Sequence, residues 1–444
     1  MIKQKITIIG SGLAGSFLAV LLAQRGYKVE IYERLPKEEI CDVASMRSYN
    51  LVLFGYGINL LKEAGLWDIL EPHLLPLKGT VTHIASSTKP VVTPADTKDM
   101  HYFTISRAQL ADILLKEATH HQSVSFYDNT SFVAVNRHEK TMVVKNNKTK
   151  KITTLPYDVL IGADGTNSLV RSFIQQNQTT HHRQEYAQWN YKQFSFGPEL
   201  VAKIGLEKKF VHTWTQKDTF IIAHPDHDDS LAAMFVLPKK LSITLHSAEN
   251  ITSYFKENFP DLLPAIDEIT QVILKNPDGN FATILTEPWY YKDSMAIIGD
   301  AAHGFYPFFG QGTSAAFGDC MQLCKLIDEY NSDWEKIFPL YQEERKKNTD
   351  ALAELSKEAL MKNLRFKKAD YDAIYDKLQT VAHTLFPNII YPPFSQTITN
   401  DPGRAAEHRK HYYRQRKMAN KFGVSLIVKG VEETLSFYEK LKKS

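Results

Sequence analysis

Hydrophobic and polar positions follow a strand, helix, strand pattern at the start of the chain. The segments KITIIG (5–10) and KVEIYER (28–34) are short apolar runs, and LAGSFLAVLLAQRG (13–26) has apolar residues at helical spacing before a terminal glycine. Apolar runs of this length predict buried strands, and a glycine is a common end of a helix. The first 34 residues therefore predict one strand-helix-strand unit with parallel strands.

The pattern changes in the middle of the chain. Residues 178–285 contain period-two stretches such as DTFIIAH (218–224) and SLAAMFVLP (230–238), which predict a mainly antiparallel sheet. From about 313 onward the apolar spacing is helical. The expected fold class is α/β, α+β overall, with a Rossmann-like domain interleaved with an antiparallel-sheet domain and followed by a helical region.

Three units are expected from these changes of pattern. The Rossmann-like domain is assigned 1–177 and 286–330, with segments of the second domain interleaved near 70–105. The antiparallel-sheet domain is assigned 178–285, and the C-terminal helical region 331–444.

Composition narrows the class of protein. The 444 residues carry a net charge of +3, which gives no case for nucleic-acid binding. No apolar stretch has the length of a membrane helix, and the N-terminus does not resemble a signal peptide, so we expect a cytoplasmic protein. The cysteines Cys41, Cys320 and Cys324 form no ligand set, so no metal is expected, and the last two fit a helix core.

A glycine motif lies between the first strand and the helix. In GSGLAG, Gly10 permits a tight turn, Gly12 permits close approach to a pyrophosphate, and Gly15 permits packing of the helix on the strand. Glu33, at the end of the second strand, is placed to accept a hydrogen bond from a ribose hydroxyl. The motif predicts a dinucleotide; a packing turn without a ligand is the alternative.

Two further loops decide which dinucleotide. YDVLIGADGTNSLVR (157–171) places Asp164 after an apolar strand, and GDAAHGFYPFFGQG (299–312) follows another strand and opens a helix near Thr313. A nicotinamide-binding enzyme needs neither loop, whereas an FAD protein of the aromatic hydroxylase group needs both.

With these motifs, the chain resembles the group A flavoprotein monooxygenases, and within them most closely the kynurenine 3-monooxygenase branch. The resemblance also includes MRSYNLVLFGYGINLLKEAGL (46–66), ISRAQL (105–110) and TFIIAHPDHDDSLAAMFVLP (219–238). It implies an enzyme that binds FAD, takes electrons from NADPH or NADH, and hydroxylates a small aromatic substrate with molecular oxygen through a flavin C4a-hydroperoxide. The alternatives from other classes are a flavin halogenase and a reductase that share the FAD domain.

The resemblance assigns residues to the cofactor. Asp300 is expected at the ribitol chain, and Arg47 and Arg107 near the FAD, although a surface ion pair is the alternative for both arginines. His303 could be a general base, but a structural role at this loop is favoured, and no catalytic residue is assigned. The expected cofactor-binding residues are Gly10, Gly12, Leu13, Ala14, Gly15, Glu33, Arg34, Arg47, Arg107, Asp164, Asp300, Gly310, Gln311, Gly312 and Thr313. Pro307, Phe308 and Phe309 are expected to form a rigid wall between flavin and substrate.

The sequence departs from the family where the family binds a carboxylate. The arginine and the tyrosine that hold kynurenine correspond to Thr80 and Pro94, and a further tyrosine corresponds to Phe394. Lysine does not reproduce the bidentate fork of arginine, so Lys78 is a weak replacement. The resemblance gives Lys78, Ile222, His224, Phe235 and Phe394 as substrate-pocket candidates. We therefore expect an indolic or other aromatic substrate, with kynurenine as the alternative.

The C-terminal segment KFGVSLIVKGVEETLSFYEKLKKS (421–444) has only a brief apolar run. With the nearby basic residues Arg414, Arg416, Lys417 and Lys421 it could lie on a membrane surface. A packed terminal helix with a solvated basic face is favoured, so membrane contact is peripheral at most.

Overall fold

The structure is a computed structural model that describes residues 4–40, 50–84, 90–95, 102–216, 218–364, 379–380, 382–384, 390–392, 397–398 and 400–421. Its strands are β1 (Lys5–Ile9), β2 (Lys28–Tyr32), β3 (Leu51–Leu53), β4 (Leu75–Pro76), β5 (Gly79–Ile84), β6 (Val91–Pro94), β7 (Phe103–Ile105), β8 (Val124–Tyr127), β9 (Thr130–Asn136), β10 (Thr141–Asn146), β11 (Ile152–Pro156), β12 (Val159–Gly162), β13 (His181–Phe196), β14 (Phe210–Gln216), β15 (Thr219–Pro225), β16 (Leu231–Pro238), β17 (Gly279–Glu287), β18 (Tyr290–Tyr291), β19 (Met295–Ile297) and β20 (His303–Gly304).

The helices complete the element list. They are α1 (Leu13–Gln24), α2 (Gly55–Glu63), α3 (Trp67–Leu70), α4 (Arg107–His120), α5 (Leu169–Gln175), α6 (Pro198–Ile204), α7 (Lys239–Thr244), α8 (Ala248–Asn258), α9 (Ile266–Lys275), α10 (Gly312–Tyr330), α11 (Trp334–Leu364) and α12 (Ala405–Lys421).

A six-stranded sheet forms the first layer, in the order β18-β19-β12-β1-β2-β8. β1 pairs in parallel with both β2 and β12, and α1 makes the crossover from β1 to β2. Ile6, Ile8 and Ile9 of β1 are buried in the largest core, which explains the continuous apolar run of this strand. The predicted strand-helix-strand unit is confirmed.

An eight-stranded sheet forms the second layer, in the order β20-β17-β13-β16-β15-β14-β5-β6. Its pairs are antiparallel except that β14 runs parallel to β5. The hairpin of β5 and β6 comes from residues 79–94, long before the other strands of this sheet in the sequence. The expected fold class, with two interleaved domains and a helical C-terminal region, is confirmed, whereas the residue limits of the domains stay a prediction.

The two faces of this second sheet pack against different parts of the molecule. Ile221 and Phe235, which are register partners on β15 and β16, lie in a core shared with Phe255 and Phe259 of the α8 region. Phe235 is fully buried there, with its ring 5.5 Å from that of Phe255. Its neighbour Met234 lies on the opposite face, because side chains of a strand alternate between faces.

The helical region packs on the first layer. Cys320 and Cys324 lie buried on one side of α10, and burial raises the pKa of the Cys324 thiol to about 12. They are therefore core cysteines, as expected, while Cys41 lies outside the described residues. Among the helices that the structure describes, none combines the length and the apolar composition needed to cross a bilayer. Of the C-terminal segment 421–444, for which a packed helix was favoured over contact with a membrane, all residues after Lys421 lie outside the described residues as well.

We predict that Phe235→Ala lowers the free energy of unfolding by about 3 to 5 kcal/mol, because the truncation leaves a cavity in a closed core. Urea unfolding followed by tryptophan fluorescence measures the change. Ile243→Ala is the control, since Ile243 is 76% exposed. An unchanged urea midpoint for Phe235→Ala would contradict this placement of the side chain.

Candidate active site

The glycine-rich turn after β1 is shaped by two close approaches. Gly10 has φ +100°, and a Cβ there would lie 2.5 Å from the Ala163 carbonyl oxygen. A Cβ at Gly15 would lie 2.0 Å from the Gly10 carbonyl oxygen, so both positions need glycine for packing. Gly12 is different, because a Cβ there would meet no protein atom within 4 Å. The open side of the turn is therefore at Gly12.

Glu33 follows β2 and braces the same turn. One of its carboxylate oxygens accepts hydrogen bonds from the Ser11 N–H at 2.9 Å and the Ser11 hydroxyl at 3.1 Å. The other accepts from the Leu35 N–H at 3.0 Å. The carboxylate therefore joins the end of β2 to the turn after β1, whereas the neighbouring Arg34 is exposed.

Asp164 has a different partner from the expected cofactor. Its carboxylate accepts hydrogen bonds from the Ser168 hydroxyl at 2.5 Å and from the N–H groups of Leu169 and Val170 at 2.8 and 3.1 Å. These N–H groups belong to the first turn of α5, which has no intrahelical acceptors for them. The Asp164 side chain thus caps α5, while its neighbours Ala163 and Gly165 line the cavity, and a contact of Asp164 with the cofactor stays a prediction.

The loop 299–312 crosses between the two sheets. It contains turns at Gly299–Ala301 and Pro307–Phe309, the short strand β20, and Gly310 with φ +63° directly before α10. Asp300 is exposed to the cavity, and Pro307 and Phe308 line it. The Arg171 guanidinium ties this loop to the preceding one, since it donates to the carbonyl oxygens of Ala301 at 2.9 Å and Thr166 at 2.7 Å.

A buried carboxylate on α10 holds the loop 299–312 in place. Asp319 of α10 accepts hydrogen bonds from the Gly299 N–H at 3.0 Å and from Nε2 of His303 at 2.6 Å. Its other oxygen accepts from Nε of Arg345 at 2.7 Å. Burial alone would raise the pKa of Asp319, but His303 and Arg345 lower it below its usual value. The sequence analysis missed Asp319 and Arg345; an acid among the small residues of AAFGDC (315–320) was the available signal.

His303 belongs to this buried cluster. Its side chain is 1% exposed, stacks on Phe305 at 5.0 Å between ring centroids, and does not line the cavity. These contacts favour the structural role over the role of a general base.

A cavity of about 710 Å³ lies between the two sheets. Of the expected cofactor residues, it is lined by Gly12, Leu13, Ala14, Arg107, Asp300, Gly310, Gly312 and Thr313, and of the pocket candidates by Ile222 and His224. Lining residues that the sequence analysis did not single out include Asn50, Tyr102, Phe220, Met234, Phe305 and Tyr306. Strand alternation on β15 was the available signal for Phe220, since it shares a face with Ile222.

Other expected site residues lie elsewhere. Phe235 is on the far face of the second sheet, and Lys78 is exposed, with neither lining the cavity. The structure does not place Phe235 on the cavity side, because position along a strand does not by itself give the face. Lys78 lies between β4 and β5 with its side chain exposed. Arg47, Phe394 and the side chain of Phe309 lie outside the described residues.

One end of the cavity has the features of a binding site for a ligand that carries phosphate groups. The N-termini of α1 and α10 both reach it, and neither helix has a side-chain cap. Gly12 and Gly312 each leave open space where a Cβ would stand. Gln311, beside them, is buried with both amide atoms unpaired among the described residues. Helix N-termini with free N–H groups favour anions, so these residues fit the diphosphate and the polar ring edge of FAD.

The other end of the cavity is apolar, and His224 is the one histidine among its described lining residues. Phe220, Ile222 and Met234 of the sheet face Tyr306 and Phe308 of the loop. His224 is buried at this end, and burial lowers its pKa to about 4, so the imidazole is neutral at physiological pH. This arrangement can hold a flat ring beside the cofactor and keep water away from it.

The sequence of this chain is similar to those of known proteins. The FAD binding domain family matches residues 3–356. The chain is 34% identical over 354 residues to a kynurenine 3-monooxygenase of Legionella pneumophila (strain Corby), covering 79% of this chain and 78% of the relative. It is 29% identical over 401 residues to a kynurenine 3-monooxygenase of Flavobacterium johnsoniae, covering 89% of each.

Solved structures agree on the fold. The oxygenase for 2-methyl-3-hydroxypyridine-5-carboxylic acid has a TM-score of 0.68 at 19% identity, covering 90% of this chain and 98% of that chain. PqsL of Pseudomonas aeruginosa, a probable FAD-dependent monooxygenase, has a TM-score of 0.66 at 17% identity, covering 82% and 98%. At such identities the likeness shows the fold alone.

The chain thus belongs to the group A FAD-dependent aromatic monooxygenases, which use FAD as cofactor and NAD(P)H as reductant. Within this class it is close to the kynurenine 3-monooxygenases. The predicted enzyme class and cofactors are confirmed.

We predict that Gly12→Val lowers the FAD content per protein, because its side chain meets only the open side of the turn. The backbone at Gly12 is extended, with φ −66°, so the fold accepts a side chain there. Flavin absorbance of the purified protein measures occupancy. Gly197→Val is the matched control, since Gly197 is also extended and open but does not line the cavity. Equal flavin content in both variants would contradict the placement.

We also predict that Asp319→Asn lowers the free energy of unfolding by about 3 kcal/mol or more, because Arg345 loses its buried counter-charge. The urea midpoint and the retention of flavin should both fall. The control is Asp333→Asn, which removes an exposed pair with Lys336 and should leave the midpoint unchanged. A midpoint for Asp319→Asn equal to that of the control would show that the cluster does not stabilise the loop.

Proposed function

We propose that this enzyme hydroxylates an aromatic substrate, indolic or otherwise, that is not held through a carboxylate in the manner of kynurenine. The observation that carries the proposal is the wall of the cavity formed by β5 and β6. Thr80 and Pro94 both line it, and we propose that they stand in place of the family's carboxylate-binding arginine and tyrosine. Their strands are paired in register, with Gly79 opposite Pro94 and Thr80 opposite Thr93.

The charges around the cavity support this proposal. Among the lining residues that the structure describes, Arg107 is the one cation, and Lys78 points outside the cavity lining. His224 is neutral at physiological pH. A buried carboxylate without a partner is strongly unfavourable, so the apolar end suits a ring whose polar groups are uncharged.

The end of the cavity reached by the N-termini of α1 and α10, which we call the cofactor end, supports the proposed type of reaction. Bound FAD, reduced by NAD(P)H, supplies the activated oxygen for the aromatic ring. For the residues of this chain we propose that Asp300 and Arg107 bind the cofactor's polar chain, and that Gly312 and Thr313 approach its ring. Pro307 and Phe308 then separate the cofactor from the substrate and exclude water, which limits loss of the activated oxygen.

We place the reaction in the cytoplasm. The basic helix α12 packs against α11, where Arg409 lies 3.8 Å from Glu358, and Arg404 pairs with Glu407 at 2.6 Å. The Arg409–Glu358 contact favours an α12 that is packed on α11, so we propose a membrane contact that is peripheral at most.

Kynurenine itself is the second candidate substrate. It is favoured by the relatives named kynurenine 3-monooxygenase, one of which is 34% identical over 79% of this chain.

One assay separates the two candidates. NADPH oxidation by the purified FAD-loaded enzyme is followed with kynurenine, with neutral indoles and phenols, and without any addition, and products are identified by mass spectrometry. We expect neutral aromatics to stimulate oxidation with formation of a hydroxylated product. Stimulation by kynurenine with 3-hydroxykynurenine as product would overturn the altered-substrate proposal. Oxidation without any hydroxylated product would overturn the monooxygenase reaction itself.

A gain-of-function substitution tests directly whether the wall formed by β5 and β6 binds the substrate. We predict that Thr80→Arg raises kcat/KM for kynurenine by about 10- to 100-fold, because a charged hydrogen bond to the carboxylate contributes about 1.5 to 3 kcal/mol. Lys78→Arg adds the same guanidinium outside the cavity lining and is the matched control. An equal effect of the two variants would contradict the assignment of this wall to substrate binding.

A further inference from the structure

His224 is a buried polar side chain on the apolar face of the cavity. It lies on β15, where strand alternation places Phe220, Ile222 and His224 on the cavity side and Ile221 and Ala223 in the opposite core. Its side chain is 8% exposed and lines the cavity. Its Nδ1 is enclosed by protein without a hydrogen-bond partner among the described residues, so the ring meets the cavity through its other atoms. A buried polar ring is costly without hydrogen bonds, and the described residues give this imidazole none.

Each of the other buried histidines of the described chain makes at least one hydrogen bond, although Nδ1 of His303 is also enclosed without a partner among the described residues. His212 bonds to His83 through Nδ1 and to the Glu207 carbonyl oxygen through Nε2. His303 bonds to Asp319, and His408 bonds to Tyr391 and to the Asp401 carbonyl oxygen. His224 has no hydrogen bond of this kind to any described residue. Within the described part of the chain, the imidazole of His224 therefore ties no two segments together.

The surroundings of His224 define what it can bind. It lies opposite Ala232 on β16, and the carbonyl oxygen of the next residue, Pro225, already accepts a hydrogen bond from the Asn50 side chain at 3.1 Å. Burial is the cause of the lowered pKa of His224, and no charged group contributes to it. A neutral imidazole has one acceptor nitrogen and one N–H, so it pairs with an uncharged polar group and gives no cation for a carboxylate.

We propose that His224 is the specificity-determining residue of the pocket and accepts a hydrogen bond from an N–H or O–H group of a neutral aromatic substrate. This inference rests on the proposed function, since it concerns the same pocket. It assigns a polar contact for the ring on the face of β15 that also carries Phe220 and Ile222. A site that hydrogen-bonds a donor group rejects an analogue that lacks it, because the buried acceptor is then left unpaired.

Two ring systems of the same shape test this contact. Indole has the N–H donor, and benzothiophene lacks it. Dissociation constants are measured on the oxidised FAD-loaded enzyme from the perturbation of flavin absorbance. The unmodified protein should bind indole about 10-fold more tightly than benzothiophene, as one net hydrogen bond provides.

Three variants locate the preference in His224. His224→Phe keeps an aromatic side chain without an acceptor and should bring the ratio of the two constants close to one. His224→Gln supplies an amide oxygen and should restore part of the ratio. Ile222→Val alters an apolar neighbour on the same face and should keep the ratio. A merely structural role would weaken both probes equally and leave the ratio unchanged.

The outcomes separate this inference from the proposed function. A ratio that persists in His224→Phe, or failure of both probes to bind the unmodified protein, would overturn the role of His224. The reaction is assessed independently by hydroxylated product in the NADPH assay, so a neutral substrate could be hydroxylated even where the role of His224 is disproved. Conversely, a ratio that depends on His224 without any hydroxylated product would leave the contact valid and remove the proposed reaction.

Discussion

The carboxylate of Asp319 lies fully buried on α10 and accepts hydrogen bonds from separate parts of the chain. It holds the Gly299 amide at the end of the central sheet, the His303 imidazole inside the loop, and the Arg345 guanidinium of α11. A buried charge is tolerated only when such partners surround it, so the loss of one partner destabilises the whole set of contacts. Because the loop 299–312 forms both the cofactor end and one wall of the apolar end, the geometry of the cavity depends on this one carboxylate.

The cavity is assembled from segments that are distant in the sequence. The glycine-rich turn provides the cofactor end, and the hairpin of β5 and β6 provides one wall. The face of β15 that carries Ile222 and His224 provides another. The interleaving of the two domains brings these segments together, since β5 pairs in parallel with β14 although more than a hundred residues separate them.

The division of the cavity into two ends suits the chemistry of the class. The cofactor end combines helix N-termini with glycines that leave room for a ligand, which favours phosphate groups. The substrate end has aromatic and aliphatic walls, which favour a planar ring and exclude water. A single neutral histidine on those walls supplies directionality without the cost of a buried charge.

The sequence by itself determined the fold class and the cofactor end. Both follow from local patterns: apolar periodicity fixes strands and helices, and the turn after β1 needs glycine at Gly10 and Gly15 because of contacts within and beside the turn itself. The sequence also indicated the wall at Thr80 and Pro94, through the resemblance to a family.

Only the tertiary structure decided which side chains meet in the pocket. Alternation along β15 and β16 shows that Phe235 and Met234 face opposite sides, but not which side is the cavity, since both faces of this sheet are covered. The sequence pointed Asp164 only to the cofactor, whereas the structure shows its carboxylate accepting hydrogen bonds from the N–H groups of α5. The partners of Asp319 and the isolation of His224 arise from packing between distant segments, and such contacts leave no periodic signal in the chain.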